Sequence, residues 1–377
     1  MNSAVKIILA GGGTLGSVSP LIAIWQELSK QNIKIDTLFV GTTSGPEKNF
    51  LKQYPAIKFA SLPSAKWRRY LSLLNLFTPF LFVLALSKAL VILSNFRPKL
   101  IISAGGFTSV PLIWLGKLMG SKVIIHQLDL EPTLSNKLTK QQADLITVTF
   151  EKSLNDFPKK KTVLVGPLIR QEANVVIPTE PAESAGERRN PLKVINEYKE
   201  NTSHKAIPTT KNLLFLGGGT GALSLNKLIV EALPLLDKQL NVIHVTGRGK
   251  NIIKGNQPNY SQVEFLTAEY YQKINEADLV VSRAGLSTLL ELSFFAKPVI
   301  LVPLPNSHQE VNAGYYQSKK AAINVKQNHL TAKILAAKIN SLAQDKAGLK
   351  ELSKNIKMMA PNNGAFAMIK EIVKLLG

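Results

Sequence analysis

The chain contains no cysteine, which excludes disulfides, zinc–thiolate centres and a cysteine nucleophile. Acidic residues are scarce: 25 Asp and Glu stand against 46 Lys and Arg, a formal net charge of +21. Histidine is equally thin, and the five (His126, His204, His244, His308, His329) lack the spacing of a metal site. Neither glycine-rich loop carries Gly-Lys-Ser/Thr, so a Walker-type nucleotide site is missing. The N-terminus, MNSAVKIILAGGG, has an apolar run too short for the core of a signal peptide and reads as a first β-strand entering a loop.

The shortage of acids is uneven. Residues 51–100 hold Lys52, Lys58, Lys66, Arg68, Arg69, Lys88, Arg97 and Lys99 and no Asp or Glu. Such a field draws anionic lipid, phosphorylated substrates or nucleic acid. No zinc finger, RNA-recognition signature or basic helix with interleaved aromatics accompanies it, so nucleic acid is not the expected partner.

What is present is a two-domain α/β pattern. The length of 377 residues and 45% hydrophobic content suit two cores. Apolar runs alternate with helical patterns through residues 1–166, the signature of a parallel sheet. Strands are expected at 5–10, 35–41, 100–103, 122–126, 145–149 and 162–165, with helices at 20–31 and 110–119. Residues 171–211 are polar and aperiodic and read as a linker or insertion. The alternation restarts at Leu213, with strands expected at 242–245, 263–266, 279–281 and 299–301. Each half opens on a strand entering a triple glycine, ILAGGGTLGSVSP and FLGGGTGALSLN. This internal repeat predicts two Rossmann-like domains with parallel sheets facing across a cleft.

Five stretches carry candidate chemistry. The loop Gly11-Gly12-Gly13-Thr14-Leu15-Gly16 follows a strand and precedes a helix, where glycine lets backbone approach a ligand. The acid that a nicotinamide site wants at the end of the second strand is missing, which argues against a dinucleotide enzyme. Ser103-Ala104-Gly105-Gly106-Phe107 and His126-Gln127-Leu128-Asp129 follow two further strands and point to a crevice. In the second half, SRAGLSTLLEL reads as strand, turn and helix, and the helix N-terminus suits a phosphate. Lys66-Trp67-Arg68-Arg69-Tyr70 then runs into LSLLNLFTPFLFVLALSKALVIL at 71–93. That run is long enough to cross a bilayer. Asn75, Pro79, Ser87 and Lys88, with the α/β pattern continuing on both sides, favour docking on an anionic lipid surface instead.

In order along the chain, GGTLGSVSP, SAGGFTSVP, VGPLIR, GGGTGALSLN, SRAGLSTLLEL and HQEVNA resemble the MurG family. The likeness covers residues 5–170 and 212–377. It implies a GT-B fold: an acceptor and membrane-docking domain at 1–166, a linker at 167–211, a UDP-sugar domain at 212–360, and a helix at 361–377 crossing back to the first domain. It implies an inverting, metal-independent hexosyltransferase without a cofactor. Such an enzyme moves N-acetylglucosamine from UDP-N-acetylglucosamine to the undecaprenyl-diphosphate-linked muramyl pentapeptide, lipid I to lipid II of peptidoglycan synthesis. It would work as a peripheral protein on the cytoplasmic face of the bacterial plasma membrane.

For the donor, the resemblance implies Gly218, Gly219 and Thr220 in the second-domain loop. Gly285, Leu286, Ser287 and Thr288 would take diphosphate and sugar, Glu291 the ribose, Leu266 the uracil, and Gln309 and Asn312 the sugar hydroxyls, with Arg170 on the donor side. For the acceptor diphosphate it implies Gly13, Thr14, Gly16, Gly105 and Gly106. Docking would fall to Lys66, Trp67, Arg68, Arg69, Leu74, Phe77 and Phe80.

Three departures stand out. The family's GGTGGH is GGTLGS here, so Ser17 replaces the histidine thought to assist catalysis. The family's HEQN is His126-Gln127-Leu128-Asp129, and Gly219 replaces a serine. Serine lacks useful basicity near neutral pH. A base lost at Ser17 and an acid gained at Asp129 predict that Asp129 takes the acceptor's proton, with Ser17 hydrogen-bonding and His126 beside them. The rival readings are another GT-B glycolipid transferase, a weakened UDP-sugar-binding homologue, and a UDP-sugar epimerase of similar architecture.

Overall fold

The computed structural model describes residues 4–31, 33–63, 78–173, 211–217, 222–253, 258–266 and 269–377. Lys66, Trp67, Arg68, Arg69, Leu74, Phe77, Gly218, Gly219 and Thr220, with nearly all of the expected linker, lie outside these residues.

The first half builds a seven-stranded sheet in the order β3-β2-β1-β4-β5-β6-β7. Its strands are β1 (Val5–Ala10), β2 (Ile35–Thr42), β3 (Ile57–Leu62), β4 (Leu100–Ser103), β5 (Lys122–Gln127), β6 (Leu145–Val148) and β7 (Thr162–Leu164). The second half repeats the winding as β10-β9-β8-β11-β12-β13. These are β8 (Lys211–Leu216), β9 (Leu240–Val245), β10 (Tyr260–Val263), β11 (Leu279–Ser282), β12 (Val299–Leu301) and β13 (Ile323–Asn324). Every pairing in both sheets is parallel. Parallel strands need crossovers that cover both faces, which explains the unbroken apolar runs LIIS and VIL.

Those crossovers are α1 (Ser19–Ser29), α2 (Glu47–Phe50), α3 (Thr78–Phe96), α4 (Ser109–Leu118) and α5 (Leu134–Thr139) in the first half. The second half has α6 (Leu223–Ala232), α7 (Tyr270–Glu276), α8 (Leu286–Phe294), α9 (His308–Ser318), α10 (Ala332–Gln344) and α11 (Lys346–Lys357). A last helix, α12 (Ala365–Leu376), buries Ala365, Met368, Ile369 and Ile372 in the first half's core, beside Leu21 and Ile24 of α1. Its entry is tied down by Asn363, which donates to Ile169 O (2.6 Å) and accepts from Ile169 N–H (3.1 Å).

The halves share a core. Leu128, Leu130, Phe150 and Ile169 from one side cluster with Tyr271, Leu286, Leu290 and Tyr316 from the other. One expectation fails in register. The strand placed at 263–266 is Tyr260–Val263, leaving Leu266 half-buried in the loop beyond it.

Candidate active site

Both sheets reverse their order at one seam, β1/β4 in the first and β8/β11 in the second. Loops leaving the carboxyl ends of strands at such a seam diverge and open a crevice. Among the described residues, three glycine-bearing loops leave there, 11–17, 104–107 and 283–285, and β8 ends at the same seam with Leu216. The first two touch. Gly106, at φ +96°, lies so close to Gly12 that a Cβ would come within 3.3 Å of the Gly12 carbonyl oxygen.

Most glycine amides expected to meet an acceptor diphosphate are already committed. Gly105 N–H donates to Ser103 Oγ (3.1 Å) and Gly106 N–H to Ser135 Oγ (3.1 Å). Gly13 N–H donates to the Glu47 carboxylate, 3.2 Å from Oε2. The N–H groups of Thr14, Leu15, Gly16 and Ser17 have no protein acceptor among the described residues. Ser17 Oγ accepts from Gly12 N–H (3.0 Å) and donates to Thr14 O (3.4 Å), bracing its own loop.

His126 is not at the cleft. It lies within β5, fully buried, with Thr147 Oγ1 3.0 Å from Nδ1 and Thr149 Oγ1 3.2 Å from Nε2. Burial lowers its pKa to about 3, so it is a neutral core residue. Gln127, beside it, is the organiser of the next loop. Its amide donates to Asp129 O (2.8 Å) and Glu131 O (2.7 Å), while Asn136 Nδ2 donates to its Oε1 (2.7 Å).

Asp129 is thereby held on the first domain, partly buried, against the charge of His308 on the second. Burial raises its pKa above the ordinary carboxylate value, and His308 offsets part of that rise. His308 is exposed at the start of α9, where Ser307 caps the helix through Gln309 N–H (3.2 Å). Sequence reasoning gave His308 no role; its place in HQEVNA was the available signal.

On the donor side, Gly285 opens α8 with open space where a Cβ would sit, while Leu286 is buried and Ser287 and Thr288 are half-buried. Glu291, one turn on, is only 5% exposed and caged. Its Oε1 accepts from Tyr271 OH (2.9 Å) and from Ser19 Oγ of the other domain (3.2 Å), and its Oε2 accepts from Tyr270 OH (2.8 Å). Burial, then the Glu291 charge, push both tyrosine pKa values well up, so both remain donors. Arg170 stacks between Phe50 and Tyr271 (5.1 and 4.8 Å to the centroids), with its guanidinium 3.8 Å from Glu291.

The expected ribose contact therefore needs this cage to part. Gln309 Oε1 accepts from Leu304 N–H (3.0 Å) within its own loop. Asn312, expected on a sugar hydroxyl, is 1% exposed and donates to Ala284 O (3.1 Å). It braces the RAG turn from behind and does not reach the open cleft.

Comparison with known proteins supplies the family. Residues 7–148 match the glycosyltransferase family 28 N-terminal domain, and residues 212–366 match its C-terminal domain. The chain is 32% identical over 375 residues to the UDP-N-acetylglucosamine--N-acetylmuramyl-(pentapeptide) pyrophosphoryl-undecaprenol N-acetylglucosamine transferase of Clostridium tetani, covering 98% of both. A protein of the same name from Staphylococcus aureus is 32% identical over 346 residues, covering 90% of this chain and 91% of its own. Among solved structures, Acinetobacter baumannii MurG superposes with a TM-score of 0.67 at 21% identity, covering 98% of this chain and 99% of that one. CalG4, the calicheamicin glycosyltransferase, superposes with a TM-score of 0.66 at 13% identity, covering 100% and 99%. The structural likenesses show the GT-B fold of two facing parallel-sheet domains. Sequence relation over almost the whole length of both chains goes further, and the chain belongs to the MurG family of N-acetylglucosamine transferases.

Proposed function

We propose that this chain transfers N-acetylglucosamine from UDP-N-acetylglucosamine to the lipid-linked N-acetylmuramyl pentapeptide, making lipid II from lipid I. The observation that carries this reading is the 32% identity spanning 98% of both chains with a transferase of that name. The acceptor hydroxyl attacks the anomeric carbon, inverts it and expels UDP. The α8 N-terminus at Gly285–Thr288 faces the leaving diphosphate with amides that have no protein acceptor among the described residues, and Arg170 lends positive charge beside Glu291.

Asp129 takes the acceptor's proton. Ser17 cannot, and His126 is sealed in the core. A carboxyl whose pKa burial raises is a stronger base than an ordinary one, which suits the task. The exposed apolar side of α3, next to the acid-free basic segment, rests on the anionic membrane surface that holds the lipid acceptor. Nucleic acid has no part in this reading.

The test is UDP release with authentic lipid-linked muramyl acceptor, for wild type, Asp129→Asn and Ser17→His. Wild type releases UDP only when acceptor is present. Asp129→Asn lowers kcat by about a hundredfold or more, the size of a lost general base. Because the base works ionised, wild-type activity falls as pH drops through the raised Asp129 pKa, and the variant lacks that acid limb. Full turnover with an unchanged pH profile in Asp129→Asn removes Asp129 as the base. No acceptor-dependent UDP release from wild type removes the activity itself.

A further inference from the structure

Glu47 is the one carboxylate of the first domain buried to 0% exposure, and the mechanism above does not use it. It opens α2, immediately after β2, and reaches back beneath the 11–17 loop. Its Oε1 accepts from Thr42 N–H (2.5 Å) and Thr42 Oγ1 (2.5 Å), and both its oxygens face Gly13 N–H, at 3.4 and 3.2 Å. Three glycines close around it. A Cβ on Gly12 would fall 2.5 Å from Oε1, one on Gly41 2.6 Å from Cγ, and one on Gly45 would strike both the carboxylate and Thr42. An ion this deep is costly unless donors surround it. Here the 11–17 loop, the end of β2 and the turn after it lack side chains on the very faces that admit it.

The consequence lies on the outer side of the loop. Gly13, at φ +83°, presents its N–H to the carboxylate below while the residue itself is exposed. The next four amides, Thr14 to Ser17, have no protein acceptor among the described residues and lead into α1. We propose that Glu47 is the positioning residue of this loop: by fixing Gly13 N–H inward, it sets the Thr14–Ser17 amides in the arrangement that receives the acceptor's diphosphate. The diphosphate binds those four amides and does not enter the nest that the carboxylate fills. The proposal rests on the reading of this loop as the acceptor-diphosphate seat.

The test uses the full chain with lipid-linked muramyl acceptor varied at saturating UDP-N-acetylglucosamine, and inorganic pyrophosphate as inhibitor. Glu47→Gln keeps the shape but puts an amide nitrogen among donors. It raises the acceptor KM and the pyrophosphate inhibition constant together by roughly tenfold, the worth of a charge-assisted hydrogen bond, with kcat and donor KM within about twofold. Should Glu47→Gln not fold, Glu47→Asp, which withdraws the carboxylate by one methylene, shows the same split at smaller size. A lower acceptor KM in Glu47→Gln means that the carboxylate competes with the diphosphate, and overturns the proposal. So does a fall in melting temperature and kcat with the acceptor KM unchanged, the mark of a merely structural strut. If pyrophosphate does not compete with acceptor in wild type, the reading of the loop falls first and the role of Glu47 with it. If it competes equally in both proteins, only the role of Glu47 falls.

Discussion

His126 shows how far residue type alone misleads. A histidine at the end of a parallel strand looks like cleft chemistry, yet β5 is covered on both faces, so neighbours pointing in opposite directions are buried alike. With its pKa lowered to about 3, the folded chain refuses a proton that the unfolded chain accepts below 6.5. Stability from this group is therefore complete above the unfolded value and is lost as pH falls toward the folded one. At pH 5 the loss from His126 is on the order of 2 kcal/mol relative to neutral pH. Thermal unfolding followed from pH 7 to pH 5 checks it. His126→Gln begins less stable but declines more gently, whereas parallel declines would remove His126 as the source. Asn312 carries the same lesson: an amide with the right spacing from a glycine turn is found behind that turn, because helical phase decides which side it serves.

At the scale of elements, much was legible from apolar runs bounded by glycine or proline. β1, β4 and β12 begin and end where LIIS-like patterns do. β10 was misplaced because Val263-Glu264-Phe265-Leu266 is the more apolar window, whereas pairing with β9, Tyr260 opposite Val242, selects the polar YSQV. β3, whose IKFASL carries a charge amid its apolar residues, and the two-residue β13 escaped notice because each is defined by pairing with a neighbouring strand. The glycine loops were legible as loops, but not which of their amides the protein itself consumes. Glu291 shows this most sharply, since nothing local reveals that Ser19, 272 positions away, reaches it. If the donor's ribose takes this carboxylate, the bond across the domains at α1 and α8 must break. Removing Ser19 Oγ then favours the donor. Ser19→Ala is expected to lower the KM for UDP-N-acetylglucosamine by about tenfold, the worth of one hydrogen bond to a carboxylate, and Glu291→Gln to raise it. Initial rates at saturating acceptor decide. An unchanged or higher donor KM in Ser19→Ala would show that the contact assists closure and does not compete.

For the whole molecule, the question is what a chain of net charge +21 rests against. α3 is long and apolar enough to cross a membrane, and only 17% of its 79–96 window is buried. Topology forbids crossing: α3 connects β3 to β4, which lie in one continuous sheet, and Ala85, Ala89 and Leu93 form a buried seam along it. Phe82 packs edge-on against Trp114 of α4, 5.8 Å between centroids. Pulling the helix through a bilayer would tear that seam from the core. The remaining side exposes Phe80 (70%), Val83 (60%), Leu90 (48%) and Val91 (59%), with Lys88, Arg97 and Lys99 nearby and no acid from 51 to 100. On the proposed function, this apolar face flanked by cations lies in the interface of an anionic bilayer, held by buried area and by about 1 kcal/mol per basic residue. Sedimentation with vesicles containing anionic lipid should pull down the wild type, more weakly as salt rises. Val83→Glu with Val91→Glu places two charges on the exposed side without touching the seam, and should weaken vesicle binding at least about tenfold. The melting temperature should hold within a few degrees. Equal sedimentation of the two proteins, or no sedimentation of the wild type at low salt, would detach α3 from the membrane and leave its exposed face to some other surface.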